Sequence, residues 1–452
     1  VLSHLLGFSL FFTFALDKVL PDRITGFYPT ETPIRLIAIW LLVDRNWRVG
    51  RIRLGFWDYT YLVFLLCTAV GMVWNSLNPA LPITYFGYRT WVAEVARYYL
   101  AFLVVRESCY RVGFRPDIMI NWLLAAFAWS AFLGVMQALD VPGVRRWSWN
   151  FYNQLFFEGM SQPNQSRGTA DHANNMAFEM VIATCIVLGQ ILRRKPRLYE
   201  IGLVCLFVAG LVGTQSRGGL IAFFAMIVGA IIYLYWNRKA WTGTLIVAIG
   251  ISLALIGLSI VEIYNIERFK RVIYGERVTS QAGLGSFAQR VEGRRHAFRL
   301  IDAFPVFGTG PNSLLYYNPR VAFWSYYGTR QIVDGVYWRL WADTGIFGLL
   351  FVFCVLGYLL SHVRRDIARR PFSFSVFLFG VVISAHGIVE NFVLVRGMIV
   401  VNVFVALAFV PAIIHERGRR ENLLDPERQS GRFPIARPTA PALPAAARRQ
   451  SQ

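Results

Sequence analysis

Apolar stretches of about 20 residues recur along this chain, and each is long enough to cross a hydrocarbon core of roughly 30 Å. Twelve can be placed, at Leu2–Leu16, Pro33–Val43, Phe56–Trp74, Trp91–Val105, Ile118–Leu139, Asn174–Leu192, Ile201–Gly213, Leu220–Trp236, Thr244–Tyr264, Tyr337–Ser361, Phe372–Phe392 and Met398–Ile414. In hydrocarbon the backbone must satisfy its own hydrogen bonds, and these stretches lack the alternation of a β-barrel. The expected fold is therefore all-α and polytopic, with about 12 transmembrane helices. Pro33–Val43 is short for a full span and would be tilted, paired or re-entrant.

Composition agrees. Of 452 residues, 56% are hydrophobic and 16% charged, where a soluble domain carries about 25% charged residues. The net charge of +20 could suggest a nucleic-acid partner, but the basic residues sit in short loops between apolar segments, which is a signature of membrane orientation. No nucleic acid is expected. The five cysteines show no CxxC or Cys/His spacing, so neither a disulfide framework nor a zinc site is indicated. The first segment lacks a basic n-region and a small-residue cleavage site, and reads as a retained spanning helix.

Orientation follows from the even-numbered exits. Arg45, Arg48, Arg51 and Arg53 follow the second segment, and Arg106, Arg111 and Arg115 the fourth. Arg193, Arg194, Lys195 and Arg197 follow the sixth, Arg238 and Lys239 the eighth, Arg364 and Arg365 the tenth, and Arg417 and Arg419 the twelfth. Both termini and these loops are expected in the cytoplasm. The predicted organisation is a membrane domain over 1–414, including an external loop at 265–336 between helices 9 and 10, then a disordered basic tail over 415–452. That loop is too long for its charge to control translocation. Within it, Phe287–Phe304 reads as an amphipathic helix with Val291, Phe298 and Ile301 on one face.

Arg217 is the sharpest single residue, in the short TQSRGG connection at Thr214–Gly219. An arginine near the bilayer is costly unless it is paired, snorkels or faces a wet cavity. It is either a ligand-binding group or an interfacial anchor.

Three stretches carry a resemblance. Thr214–Phe223 resembles the SRGG motif of the O-antigen ligase and O-antigen polymerase family, polytopic enzymes acting on lipid-linked glycans. From Arg290 the chain reads RVEGRRHAFRLIDAFPVFGTG, similar to that family's Arg and following Pro-x-x-Gly-x-Gly turn, with Pro305, Gly308 and Gly310 at the matching offsets. Arg294 holds the usual aromatic position. Asp334–Gly348 resembles the family's HNxYLxxxxExGxxG. Tyr337, Gly345 and Gly348 match, Asp343 stands for the Glu, Asp334 for the His and Gly335 for the Asn. The three stretches run in the family's order.

The resemblance implies a metal-independent glycosyltransferase without a cofactor, in a bacterial inner membrane with its active site in the periplasm. Its donor would be a glycan on undecaprenyl diphosphate and its acceptor a sugar hydroxyl, in lipopolysaccharide or exopolysaccharide assembly. Membrane lipids would be its surroundings. Arginine suits a diphosphate leaving group because it gives bidentate, charge-assisted hydrogen bonds and keeps its charge. Arg217 and Arg290 are the implied diphosphate ligands, with Arg294, Arg295 and Arg167 as neighbours. Attack by a hydroxyl also needs a base. Asp334 stands where the family has its His, and could instead cap the helix that follows. His172, in SRGTADHANN, is a second candidate for the base and could equally cap the sixth span. Two other classes fit external cations: a transporter or flippase of lipid-linked oligosaccharide, and a protein O-glycosyltransferase of the same family.

The orientation is checked by fusing a reporter that is active only outside the cytoplasm. Fusions at Gln162 and Gly283 should be active, and fusions at Lys195 and Arg365 silent.

Overall fold

A computed structural model describes residues 1–15, 37, 55–77, 98–109, 114–151, 165–170, 172–193, 196–237, 250, 293–295, 297–310, 335–364, 372–389 and 397–408. Among these there are helices and turns and no strand, so the protein is an all-α polytopic membrane protein. In chain order the helices are α1 (Leu2–Ala15), α2 (Phe56–Ser76), α3 (98–109), α4 (Pro116–Ala138), α5 (Val144–Phe151), α6 (Ala173–Arg193), α7 (Leu198–Thr214) and α8 (Arg217–Trp236). Then come α9 (helical at 293–295 and 297–303), α10 (Val336–Leu360), α11 (Ser373–Val389) and α12 (Gly397–Ala408). Five of the described helices are long and apolar enough to cross a membrane: α2, α4, α6, α8 and α10 with its 3₁₀ extension. The expected spans Pro33–Val43 and Thr244–Tyr264 and the 415–452 tail lie outside the described residues, Ile37 and Gly250 apart. The short α5 helix was not foreseen. Its sequence VRRWSWNF lacks the long apolar run on which the spans were placed.

The central helix is α6, with nearly every residue from Met176 to Gln190 buried. Successive residues of a helix point about 100° apart, and three consecutive ones here meet three different neighbours. The Met176 side chain fills the space beside Gly134 of α4 and Gly210 of α7. Ala177 lies against Gly219 of α8, where an added Cβ would come within 2.5 Å of its own. The Phe178 ring lies 4.9 Å from the His386 ring of α11.

The helix ends sort into two groups. At one end, Arg193 pairs with Asp117 at 3.2 Å and lies 5.1 Å over the Phe372 ring. Arg364 lies over Trp236, and the Arg115 amide donates to Ser3 Oγ. Arg106 is buried there beside Asp58, at 2.6 Å, and Asp58 also accepts from Tyr99 Oη and the Gly55 amide, each at 2.7 Å. These are residues of the basic exits. The SRGG turn, the start of α6, the start of α10 and the last turns of α11 gather at the opposite end.

The α10 helix is broken. Gly345 has φ 67° and ψ −159°, a conformation essentially reserved for glycine. The break would leave backbone groups unsatisfied where water is scarce, at a cost of several kcal/mol each. The turn Pro305–Gly310 satisfies them. Thr309 donates from both its amide and its hydroxyl to Ala342 O, at 2.9 and 3.1 Å. The Gly310 amide donates to Asp343 O at 2.9 Å, and the Ile346 amide to Pro305 O at 3.0 Å. Gly308, at φ +65°, sits so close that a Cβ would be 2.6 Å from Ala342 O. Two stretches separate in the chain, each marked by glycines (Gly308 and Gly310, Gly345 and Gly348), are thus halves of one joint.

The α9 helix ends at this joint and packs on the first half of α10. Its buried face is Ala297, Leu300 and Ile301, with Phe304, against Trp338, Trp341 and Ala342. This corrects the expected face. Ile301 belongs to it, Phe298 is 43% exposed on its flank, and Val291 lies outside the described residues. Turning the face toward one broken helix, and not toward a broad core, narrows it.

Substituting Gly345→Ala or Gly308→Ala should each cost at least about 2 kcal/mol through strain and overlap and lower the thermal midpoint in detergent. Gly357→Ala, where an added Cβ meets nothing within 4 Å, should leave the midpoint unchanged.

Candidate functional site

The SRGG sequence builds a helix start. Gln215 adopts the left-handed conformation after α7 (φ 52°), so the chain reverses at once. Ser216 caps α8, its Oγ accepting from the Gly219 amide at 3.1 Å. Arg217 is thus the first residue of α8 and not part of a free turn, and its side chain is exposed. Gly219 then lets α8 approach α6 at Ala177.

A second Ser-Arg-Gly stretch lies beside it. The Ser166 amide donates to Gly213 O at 3.0 Å, which ties the segment 165–170 to the end of α7, three residues before the Ser216 cap. The same segment is clamped to α4 by Gln137, whose Oε1 accepts from the Arg167 amide at 2.8 Å and the Gly168 amide at 3.0 Å. Gln137 Nε2 donates to Ser148 Oγ of α5 at 2.7 Å. Thr169 is held by Ser130 and by the Phe14 carbonyl. Arg167 is buried and Arg217 exposed. The sequence placed Arg167 among the neighbours of the site but had no means of identifying Gln137, an amide near the end of an otherwise largely apolar helix.

His172 is exposed and sits just before α6, where its Nδ1 accepts from the Asn174 amide at 3.2 Å. That is the capping role. With Nδ1 accepting, a neutral ring carries its proton on Nε2, so it must give up the cap before it can take a proton. The residue preceding the first turn of α10 is Gly335, which has φ 98° and offers no side-chain cap. Asp334 and Arg290 themselves lie outside the described residues. Arg294 is half-buried and Arg295 exposed, both in α9.

The last turns of α11 join the two halves of this end. Tyr337 Oη donates to Ser384 O at 3.1 Å, and a Cβ at Gly335 would lie 3.1 Å from Ile388 O. On the other side His386 meets Phe178. The start of α10 is therefore linked through α11 to α6, and through α6 to the SRGG cap. Asp343, which holds the position of the family's Glu, is fully buried and within 3.4 Å of Arg339 Nε. Glu179 is a further buried carboxylate, two turns into α6. Sequence reading passed over it because a single Glu hardly alters an otherwise apolar span. Among the described residues no group of His, Cys, Asp and Glu is arranged to hold a metal.

This arrangement defines a multi-pass helical membrane protein with an arginine-bearing polar end built from helix termini. Residues 201–353 match the O-antigen ligase family, which supports the resemblance to O-antigen ligases and polymerases. The matched span runs from α7 into α10 and contains both the SRGG cap and the two halves of the Gly308–Gly345 joint. No curated protein matches the chain.

Replacing Gln137 with Leu would leave two buried amides without their acceptor, at about 1–3 kcal/mol each. The expected result is a lower thermal midpoint and faster proteolysis at 165–170.

Proposed function

We propose that the protein transfers a glycan from undecaprenyl diphosphate to a sugar hydroxyl at the outer face of the bacterial inner membrane. The observation that carries this reading is the joining of two Ser-Arg-Gly segments, through Ser166 and Gly213, at the end opposite the basic exits. By the positive-inside rule that end faces away from the cytoplasm. The match of residues 201–353 to the O-antigen ligase family supports the reaction class.

In this reading Arg217 and Arg290 bind the diphosphate, with Arg167 and Arg295 adding positive potential. The acceptor oxygen bonds to the anomeric carbon as the bond from that carbon to the phosphate oxygen breaks. The electron pair leaves with the diphosphate, whose growing charge the guanidinium groups stabilise. The acceptor proton passes to Asp334. His172 is the weaker base, since its Nδ1 is engaged by the Asn174 amide. Arg217 at the first position of α8 also has the helix dipole behind it, which favours an anion at that end.

In the native host, Arg217→Ala and Arg290→Ala should each abolish the surface polysaccharide while protein level and thermal midpoint stay normal. Arg217→Lys should retain a minor fraction, because lysine keeps the charge and loses the bidentate geometry. Unchanged polysaccharide in both alanine variants would overturn the reading. In proteoliposomes, movement of the lipid-linked glycan without a new glycosidic bond would favour a flippase.

A further inference from the structure

The α9 helix and the first half of α10 run side by side in the same direction. Phe298 meets Trp338 with ring centroids 5.1 Å apart, and Pro305 O accepts from the Ile346 amide, so residues about 40 apart lie level. One turn before Phe298 is Arg294, placed by this register level with Gly335 at the start of α10. Residues at i and i+4 share a helix face, so Arg294 and Phe298 lie together along one flank of the buried face.

Three features of this flank point to a ligand. Arg294 is half-buried, and its Nε is buried without a hydrogen-bond partner among the described residues. A buried guanidinium donor left unmet is costly, and a bound anion would meet it. Phe298 remains 43% exposed although its ring rests on Trp338, so the aromatic pair presents a face and does not fill a core. Trp338 itself is held from beneath by the core of Ala297, Leu300, Ile301 and Ala342, which fixes the platform. A flat aromatic face beside a guanidinium matches a pyranose ring bearing a carboxylate.

We propose that Arg294, Phe298 and Trp338 form a subsite for an acidic sugar of the transferred or accepting glycan, with the uronate-type carboxylate on Arg294 and the ring on Phe298. The subsite rests on the glycan-transfer reading above and names a substrate class within it: glycans containing a uronic acid. Arginine gives the carboxylate a bidentate, charge-assisted contact, and the aromatic pair supplies apolar area at low entropic cost.

The test is isothermal titration of the full-length protein in nanodiscs with tetragalacturonate and, separately, maltotetraose at low ionic strength. The wild type should bind the acidic tetrasaccharide at least tenfold more tightly. Arg294→Gln should erase that difference with an unchanged thermal midpoint, and Phe298→Ala should weaken both sugars by similar factors. No preference in the wild type, or a preference that survives Arg294→Gln, would overturn the subsite. So would displacement of tetragalacturonate by millimolar inorganic diphosphate in the wild type alone, since Arg294 would then serve the phosphate. Binding needs no turnover, so a failure here is distinguishable from unchanged surface polysaccharide in both Arg217→Ala and Arg290→Ala, which removes the transfer reading itself.

Discussion

The backbone hydrogen bonds across the break at Gly345 hold α9 and the two halves of α10 together. A helix interrupted within an apolar bundle cannot turn to water for its lost partners. Here the partners come from Pro305–Gly310, whose amides and carbonyl meet Ala342, Asp343 and Ile346. The joint fixes α9 on α10 and anchors Phe307 near Gly71 and Trp74 of α2. The described face of α9 at Ala297, Leu300 and Ile301 is therefore positioned by α10.

A second organising element is α6. Met176, Ala177 and Phe178 face α4 with α7, α8 and α11 in turn, so one helix passes position from the SRGG cap to the α11 turns that hold Gly335 and Tyr337. The small residues on this path carry physical meaning. Gly219 admits Ala177, and Gly213 brings its carbonyl to the Ser166 amide. Polar groups close the remaining gaps: the Gln137 side chain bonds the Arg167 and Gly168 amides and the Ser148 hydroxyl.

Much of the fold was legible in the chain. The apolar runs located α2, α4, α6, α8 and α10 to within three residues at either end, because hydrocarbon selects for length and polarity directly. The three motif stretches were also visible, and the match of residues 201–353 to the O-antigen ligase family agrees with them. The α5 helix escaped notice since its eight residues lie outside any apolar run. The buried face of α9 was misassigned at Phe298, because periodicity locates a stripe but does not say how wide the covering surface is.

The sequence by itself determined the all-α membrane class, the separation of basic exits from the SRGG end, and the residues able to meet an anion. These follow from solvent and charge, which act on each segment independently of its neighbours. Tertiary structure alone decided that PVFGTG and DTGIFG are one joint, that Gln137 holds the Arg167 segment, and that the last turns of α11 hold Gly335 and Tyr337. These depend on contacts between residues far apart in the chain, such as Thr309 with Ala342 or Phe298 with Trp338. Such contacts exist only once the helices have packed, and no local pattern encodes them.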